Sequence, residues 1–293
     1  LIGAVKYKGL LMKILIVGGA SSLALVLKPV LSEFAEVITA GRTGCDVHLD
    51  LSDPVEKMVL PKGIDVVINT AANFGGKSFE EIFQSESVNA LGVLKLCQSC
   101  TKSQIKHLIL ISSIFACLDE SSRFYSIYSL SKRHSDELAK LYSSIYKLPL
   151  TILRPSQFYG VGEAFRQHQP FLFTIIDKAI NNEDIFIYGS NDAMRNFIHV
   201  EDIAKIIALV VQRRIEGMYS CINFENVSYS EIAAAAINVF KSKSTVKFMK
   251  EKADIPNNIF DFDDSLFRLI DYYPQISILL GMKKEAVYRE NNG

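Results

Sequence analysis

Met12-Lys13-Ile14-Leu15-Ile16-Val17-Gly18-Gly19-Ala20-Ser21-Ser22-Leu23-Ala24 is the stretch that decides the fold of this 293-residue chain. An apolar run without alternation, closed by glycine, reads as a strand buried on both faces. The stretch SLALVLKPVLSEF (22–34) then carries Leu and Val at helical spacing, with Pro29 expected to kink the helix or mark its boundary. A strand, a tight glycine turn and a helix N-terminus together form a ready receptor for phosphate. The dinucleotide version of this loop wants small residues at three points, and the spacing puts them at Gly18, Ser21 and Ala24. A turn that needs glycine for its geometry alone would read the same way.

Working outward, short β-branched runs alternate with longer helical stretches. Strands are expected at 37–40, 47–51, 65–70, 107–113 and 150–155, and helices over 78–103, 128–146 and 169–182. Apolar strands separated by helices predict a parallel sheet covered on both faces, and right-handed crossovers make it doubly wound. The fold class is therefore α/β, a Rossmann-like doubly wound sheet. After residue 157 the rhythm changes to short strands (IFIYG, YSCINF, VKFM) mixed with helices (DIAKIIALVV, SEIAAAAINVF), which predicts a smaller C-terminal α+β lobe. Some of this later chain is expected to return to the first domain.

Lys+Arg 32 balance Asp+Glu 32, so no basic stripe argues for nucleic acid. Hydrophobic residues at 49% and charged residues at 22% describe a chain with ample core. No apolar stretch approaches the roughly 18 residues of a spanning helix, so no membrane partner is expected. Five thinly spread cysteines do not suggest a disulfide framework, and the start has no secretory-signal pattern, which together predict a reducing, cytoplasmic setting. Residues 1–11 (LIGAVKYKGLL) read as an extension or tag-derived segment outside the fold.

The chemistry is carried by Tyr128-Ser129-Leu130-Ser131-Lys132. Tyrosine and lysine four apart share one helix face. A phenol of pKa about 10 is a poor base near neutrality, and a neighbouring ammonium favours its ionised form. Such a pair also arises by chance, so its placement carries the weight. The helix follows the strand HLILISS, whose Ser112-Ser113 end falls at the carboxyl edge of the sheet, where α/β folds bind ligands. Either serine could hold a substrate oxygen beside the phenol. At the end of the second strand, where an acid would meet the ribose of NAD, the chain reads Thr39-Ala40-Gly41-Arg42-Thr43. Arg42 offers a charged fork to a 2′-phosphate, so NADP is the preferred cofactor, with NAD the other choice. A solvated turn residue is the plain alternative for Arg42.

These segments, with Asn69-Thr70-Ala71-Ala72, Ser87-Val88-Asn89, Leu153-Arg154-Pro155-Ser156-Gln157-Phe158-Tyr159-Gly160, Ile187-Tyr188-Gly189 and Arg195-Asn196-Phe197-Ile198-His199-Val200-Glu201-Asp202, resemble the extended short-chain dehydrogenase/reductases that act on nucleotide sugars. The resemblance covers nearly all of residues 12–205. It implies Tyr128 as general acid/base and Lys132 as its partner, which also touches the nicotinamide ribose. Ser113 would hold the reacting oxygen, with Ser112 as its rival. Gly18, Ser21, Ser22 and Leu23 would surround pyrophosphate, Asp50 and Leu51 would border adenine, and Ala71 and Ala72 would let the backbone approach ribose. Asn89, Pro155 and Ser156 would complete the cofactor site, and Arg195 would meet the diphosphate of the sugar donor.

On this reading residues 12–157 are the dinucleotide-binding domain and 158–293 mainly the substrate-binding lobe. The implied activity is a nucleoside-diphosphate-sugar epimerase or a 4-ketoreductase, with hydride transfer at a sugar carbon, of the kind that feeds surface-polysaccharide synthesis. A homodimer through the 128–146 and 169–182 helices is implied as well. A dinucleotide-binding sensor or scaffold without turnover is the alternative, supported by Ser21 and Ala24 standing for glycines. Ser113 is followed by Ile114-Phe115, where family dehydratases carry an Asp-Glu pair, which disfavours dehydration. The 15 residues from Ser113 to Tyr128 are a short connection for the family, and Cys117 falls where its serine motif usually ends in tyrosine.

The remaining signals read as packing. Cys97 and Cys100 have CxxC spacing but no second pair, so no metal is expected. His199 reads as a satisfied structural histidine, His134 as a helix-surface residue, and the run from Glu231 as a core helix.

Overall fold

In the computed structural model, Ile14, Leu15, Ile16 and Val17 are each 1% exposed or less, at the centre of a parallel sheet. The structure describes residues 6–7 and 10–292. It divides into two compact units. One holds the chain up to Pro155 with Ala204–Cys221 and Asp264–Tyr272; the other holds Ser156–Ile203, Ile222–Asp263 and the chain from Tyr273 onward.

The strands in chain order begin with β1 (Lys6–Tyr7), β2 (Leu10–Val17), β3 (Ala35–Gly41), β4 (Val47–His48), β5 (Val66–Asn69), β6 (His107–Ile111) and β7 (Leu150–Pro155). They continue with β8 (Gln157–Tyr159), β9 (Ile185–Tyr188), β10 (Met194–Arg195), β11 (Phe197–His199), β12 (Gly217–Cys221), β13 (Val227–Ser228) and β14 (Val246–Met249). The helices are α1 (Ser22–Ser32), α2 (Phe79–Ser85), α3 (Gly92–Lys102), α4 (Ile127–Tyr146) and α5 (Glu163–Arg166). After them come α6 (Pro170–Ile180), α7 (Val200–Arg213), α8 (Tyr229–Val239), α9 (Ser265–Ile270) and α10 (Ile278–Asn292).

In the first unit, parallel strands run in the order β12-β7-β6-β5-β2-β3-β4, and β1 pairs antiparallel with β2. Leu10 and Leu11, set outside the fold by the sequence pattern, extend β2 and pair with Tyr7 and Lys6; the other residues of that stretch (1–5 and 8–9) lie outside the described ones. The strand order reverses at β2, whose neighbours are β3 and β5. The carboxyl ends of β2 and β5 lie side by side, Val17 opposite Asn69, and this is the switch point at which such sheets bind ligands. α1 runs through Pro29 and ends one turn later. β4 stops at His48, short of the expected 47–51, because Asp50 turns the chain by accepting hydrogen bonds from the Ser52 amide (2.9 Å) and hydroxyl (2.8 Å). The long helical stretch before β6 is α2, a π-turn over Glu86–Leu91 and α3 in succession. α2 starts on a capping box in which Ser78 and Glu81 satisfy each other's backbone amides.

In the second unit, β8 pairs in parallel with β11 and β9 with β14, while β10 and β13 are antiparallel. α8, with its own Ser228–Glu231 capping box, packs against α6 and α10. Among the described residues no helix is long and apolar enough to cross a membrane.

Candidate active site

The turn after β2 cannot carry a side chain at its first position. Gly18 has φ of +81°, and a Cβ there would lie 2.5 Å from the Ala71 nitrogen. Gly19 is as crowded, its hypothetical Cβ being 2.5 Å from the Thr39 Cβ. The Thr70 hydroxyl lies 3.0 Å from both the Val17 and Gly18 carbonyl oxygens and donates to them. Ser21 therefore donates to Thr70 across 2.9 Å, while its oxygen caps α1 by accepting from the Ala24 amide at 3.2 Å. The Ser21 hydroxyl is thus committed to closing the loop. The Ser22 and Leu23 amides, at the start of α1, have no acceptor among the described residues. Free helix-start amides beside a glycine that admits no Cβ suit a pyrophosphate, so the residues present fit a dinucleotide.

At the end of β3 the structure differs from the sequence expectation. Arg42 is exposed, and its carbonyl contacts His48 Nδ1 at 3.2 Å. An acid does come within reach: the 42–46 loop folds Asp46 back so that its carboxylate accepts from the Thr39 amide (2.8 Å) and hydroxyl (2.7 Å). The bond from the Thr39 amide, then that from its hydroxyl, holds Asp46 below the usual carboxylate range. Leu51 is buried, and Gly92 packs against it so closely that a Cβ there would lie 2.8 Å from the Leu51 Cβ. Ala71 and Ala72 are half-buried at the end of β5.

Three predicted chemical residues come together at the start of α4. Lys132 is buried, its Nζ donates to the Ile111 carbonyl at 2.9 Å, and it lies 5.9 Å from the centre of the Tyr128 ring. Ser113, at the end of β6, caps a 3-10 turn by accepting from the Phe115 amide at 3.2 Å. Burial pushes the Tyr128 phenol up to about 12, against the pull of a hydrogen bond from Ser113, and the charge of Asp136 adds to the rise. Burial pushes Lys132 down to about 8, and Asp136 opposes it. A phenol made harder to ionise can donate a proton at neutral pH, and an ammonium 5.9 Å from its ring centre is a charge of the sign that favours a phenolate. Ser112 is buried, its amide donates to the Leu153 carbonyl at 2.8 Å, and its hydroxyl hydrogen-bonds toward the Asp136 carboxylate.

Sequence reasoning missed the loop that follows Ala72. Phe74 is 58% exposed, yet its ring stacks on Tyr128. Its neighbours are braced by polar contacts. Asn89 accepts from the Asn73 amide (2.8 Å) and donates to the Asn73 carbonyl (2.7 Å) and the Ser131 hydroxyl (2.9 Å). Asn73 in turn accepts from the Gly75 amide at 2.7 Å and the Ser85 hydroxyl at 2.9 Å. Asn89, expected beside the cofactor, thus has its amide group committed to this brace. It projects from the π-turn, an irregularity often found at functional sites.

Pro155 closes β7 opposite Cys221, and Ser156 is buried with no partner for its hydroxyl. In the second unit, Arg195 is buried; its Nη1 donates to the Met194 and Pro256 carbonyls, both at 2.8 Å, and its guanidinium lies 4.7 Å from the Tyr229 ring centre. His199 accepts from the Glu201 amide at 3.3 Å through Nδ1, while its Nε2 has no partner, so it is satisfied at one nitrogen. His134 stands at the surface paired with Glu86 at 3.1 Å. Cys97 and Cys100 are buried, and burial pushes both thiols up, Cys97 to about 12. Among the described residues no three metal-ligating side chains cluster.

A doubly wound sheet with a side-chain-free turn and open helix-start amides at its switch point defines a Rossmann-like dinucleotide-binding protein. The chain belongs to the NAD dependent epimerase/dehydratase family, whose family model matches residues 14–221. It is thereby an NAD-dependent enzyme of the nucleotide-sugar epimerase and dehydratase class. It is 25% identical over 269 residues to Protein CapI of Staphylococcus aureus, covering 81% of this chain and 79% of that protein. It shares the fold of UDP-N-acetylglucosamine 4-epimerase from Bacillus cereus (TM-score 0.78, 19% identity, 94% of this chain and 99% of that one). UDP-glucuronic acid 4-epimerase from Bacillus cereus, solved with UDP-glucuronic acid and NAD, matches equally (TM-score 0.78, 19% identity, 96% and 100%).

Proposed function

We propose that the protein acts on a nucleoside-diphosphate sugar at C4, as an epimerase or a 4-ketoreductase, with Tyr128 as the group that moves the proton. The observation that carries this reading is the buried Lys132 ammonium beneath the Tyr128 ring, with Ser113 at the phenol. Bound NAD would supply the acceptor and donor of hydride at the sugar carbon. In the oxidising direction Tyr128 first gives up its own proton to solvent, and the phenolate so formed takes the proton of the C4 hydroxyl while the Ser113 hydroxyl holds that oxygen. In the reducing direction the Tyr128 phenol returns a proton to the ketone oxygen. Lys132 stays protonated and offsets the phenolate charge in both directions. The same residues serve both reactions, which differ in whether the ketone leaves the site. Structural relatives that are 4-epimerases of UDP-sugars support the substrate class.

Two finer features belong to the same reading. Arg42 supports tolerance of the 2′-phosphate of NADP; Arg42→Ala should weaken NADP binding several-fold more than NAD binding, as measured by calorimetry. A homodimer through α4 is supported by exposed Leu141, Ile145 and Tyr146 and by a groove of about 420 Å³ lined by Leu91, Leu138 and Leu141. Ile145→Glu should yield a monomer in light scattering.

The decisive assay incubates the purified protein with UDP-, dTDP- and CDP-sugars, with and without NADH or NADPH. Interconversion without net consumption of reduced cofactor identifies an epimerase, and stoichiometric oxidation identifies a reductase. Tyr128→Phe should lower turnover by about 10²-fold or more while retaining NAD. Full activity in that variant would overturn the reading.

A further inference from the structure

We propose that Asp136 is a positioning residue of this site, a buried carboxylate that keeps the Lys132 ammonium charged and seated against Ile111. This rests on the proton-transfer reading of Tyr128 and Lys132 given above. Tyr128, Lys132 and Asp136 follow one another at four-residue intervals on α4 and so lie on one stripe of the helix. Lys132 is 4% exposed and Asp136 1% exposed. An ammonium has three protons to satisfy, and here one finds the Ile111 carbonyl at 2.9 Å. A buried cation so sparsely hydrogen-bonded needs a nearby anion to remain charged.

Asp136 is built to be that anion. Arg154, on β7, donates from Nε to its Oδ2 at 2.8 Å, and a guanidinium does not give up its proton. Burial pushes the Asp136 carboxyl up, while the Arg154 charge, a hydrogen bond from the Ser112 hydroxyl and the Lys132 charge pull it back toward the anion. Arg154 anchors one carboxylate oxygen, and the carboxylate charge is also felt at Lys132. Several other ionisable groups on the elements packed against α4 are engaged elsewhere. Cys117 on the 3-10 turn accepts from Arg154 Nη1 at 3.3 Å, Glu86 on the π-turn pairs with His134, Arg133 donates to the Ala116 and Leu118 carbonyls, and Glu81 on α2 is held by its capping box. On α3, Cys97 and Cys100 are kept protonated by burial.

The direction of the effect follows from the two opposing pulls on Lys132. Burial drives it toward the neutral amine and Asp136 toward the ammonium, so removing the carboxylate leaves burial unopposed. The same negative charge also makes the Tyr128 phenol harder to ionise. Loss of Asp136 therefore moves both groups in one direction, to lower pH. A residue that merely held the fold would reduce turnover at every pH and leave the profile where it was.

The test uses the full-length protein loaded with NAD. Lysine ¹³Cε resonances are titrated by NMR, with Lys132 assigned from the spectrum of Lys132→Arg. In Asp136→Asn the Lys132 midpoint is expected to fall by about one pH unit, and the kcat profile should shift acidward with it. Asp136→Glu should restore both. Where Asp136→Asn does not fold, Asp136→Asn with Arg154→Gln removes the pair without stranding a charge, and the same fall is expected. An unchanged Lys132 midpoint in the folded variant overturns the proposal. The lysine titration reads Asp136 even if Tyr128→Phe retains activity, so failure of the mechanism and failure of this inference are separately visible.

Discussion

Phe74 lies nearly parallel to Tyr128, ring centroids 5.1 Å apart and planes inclined by 25°. The stack covers one face of the ring proposed to transfer the proton, while the Phe74 side chain itself is 58% exposed. Such a pair contributes about 0.5–1.5 kcal/mol beyond buried area. Phe74→Ala should lower kcat/KM for the nucleotide sugar by about 3- to 10-fold with little change in melting temperature, and Phe74→Tyr should retain most activity. Steady-state kinetics beside a thermal melt would separate these outcomes.

Asn89 braces the Phe74 loop from sixteen positions along the chain. Asn89→Ala strands the Asn73 backbone and removes the donor to the Ser131 hydroxyl, which keeps its own bond to the Tyr128 carbonyl, with an expected loss on the order of 2–3 kcal/mol. Urea unfolding should register that loss. Turnover should fall more than in Phe74→Ala, because the loop loses its anchor as well as its ring.

Gly18→Ala forces a side chain into left-handed backbone and against Ala71. Strain of this kind costs on the order of 1–3 kcal/mol. The variant should melt lower and bind NAD at least tenfold more weakly in calorimetry. Wild-type affinity would mean that the turn is not the phosphate cradle.

His107 gives the fold a pH dependence. It is 4% exposed, and burial, then the Arg214 charge, pushes it down to about 4. Thr151 donates to the Ile215 carbonyl, so His107 Nε2 donates to Thr151 at 2.7 Å, while Nδ1 has no hydrogen-bond partner among the described residues. In the unfolded chain this imidazole titrates near 6.5. Between those values the unfolded state binds more protons, so stability is complete above about 6.5 and declines as pH falls through about 4. The loss should be on the order of 2–3 kcal/mol by pH 4. His107→Gln should flatten that part of the stability curve in urea titrations at stepped pH.

Much of this architecture is legible in one dimension because its signals are local. The β2 run, the Gly18 turn and the Tyr128–Lys132 spacing are each contained within a few consecutive residues, and α4 and β7 fall within a residue of their expected limits. What escaped depends on chain returning from a distance. Asn89 meets Ser131 across 42 positions, and no periodicity announces that contact. Asp46 evades a count along β3 because a loop, and not the strand, carries it back to Thr39. Ser21 looked available for phosphate until Thr70 claimed its hydroxyl. Asp136 sat in plain view four residues beyond Lys132, but a charge on a long helix is ordinarily solvated; only the burial of α4 against β7 gives it an inward role.

The edge strand β12 comes from residues 217–221, yet it pairs along β7 from Thr151 to Pro155. A nascent chain that has just emerged past Pro155 therefore presents an apolar strand with one row of peptide groups unclaimed, a template for pairing with a neighbouring polypeptide. That edge stays open until the ribosome delivers Cys221, and the first unit is complete only once Asp264–Tyr272 has followed.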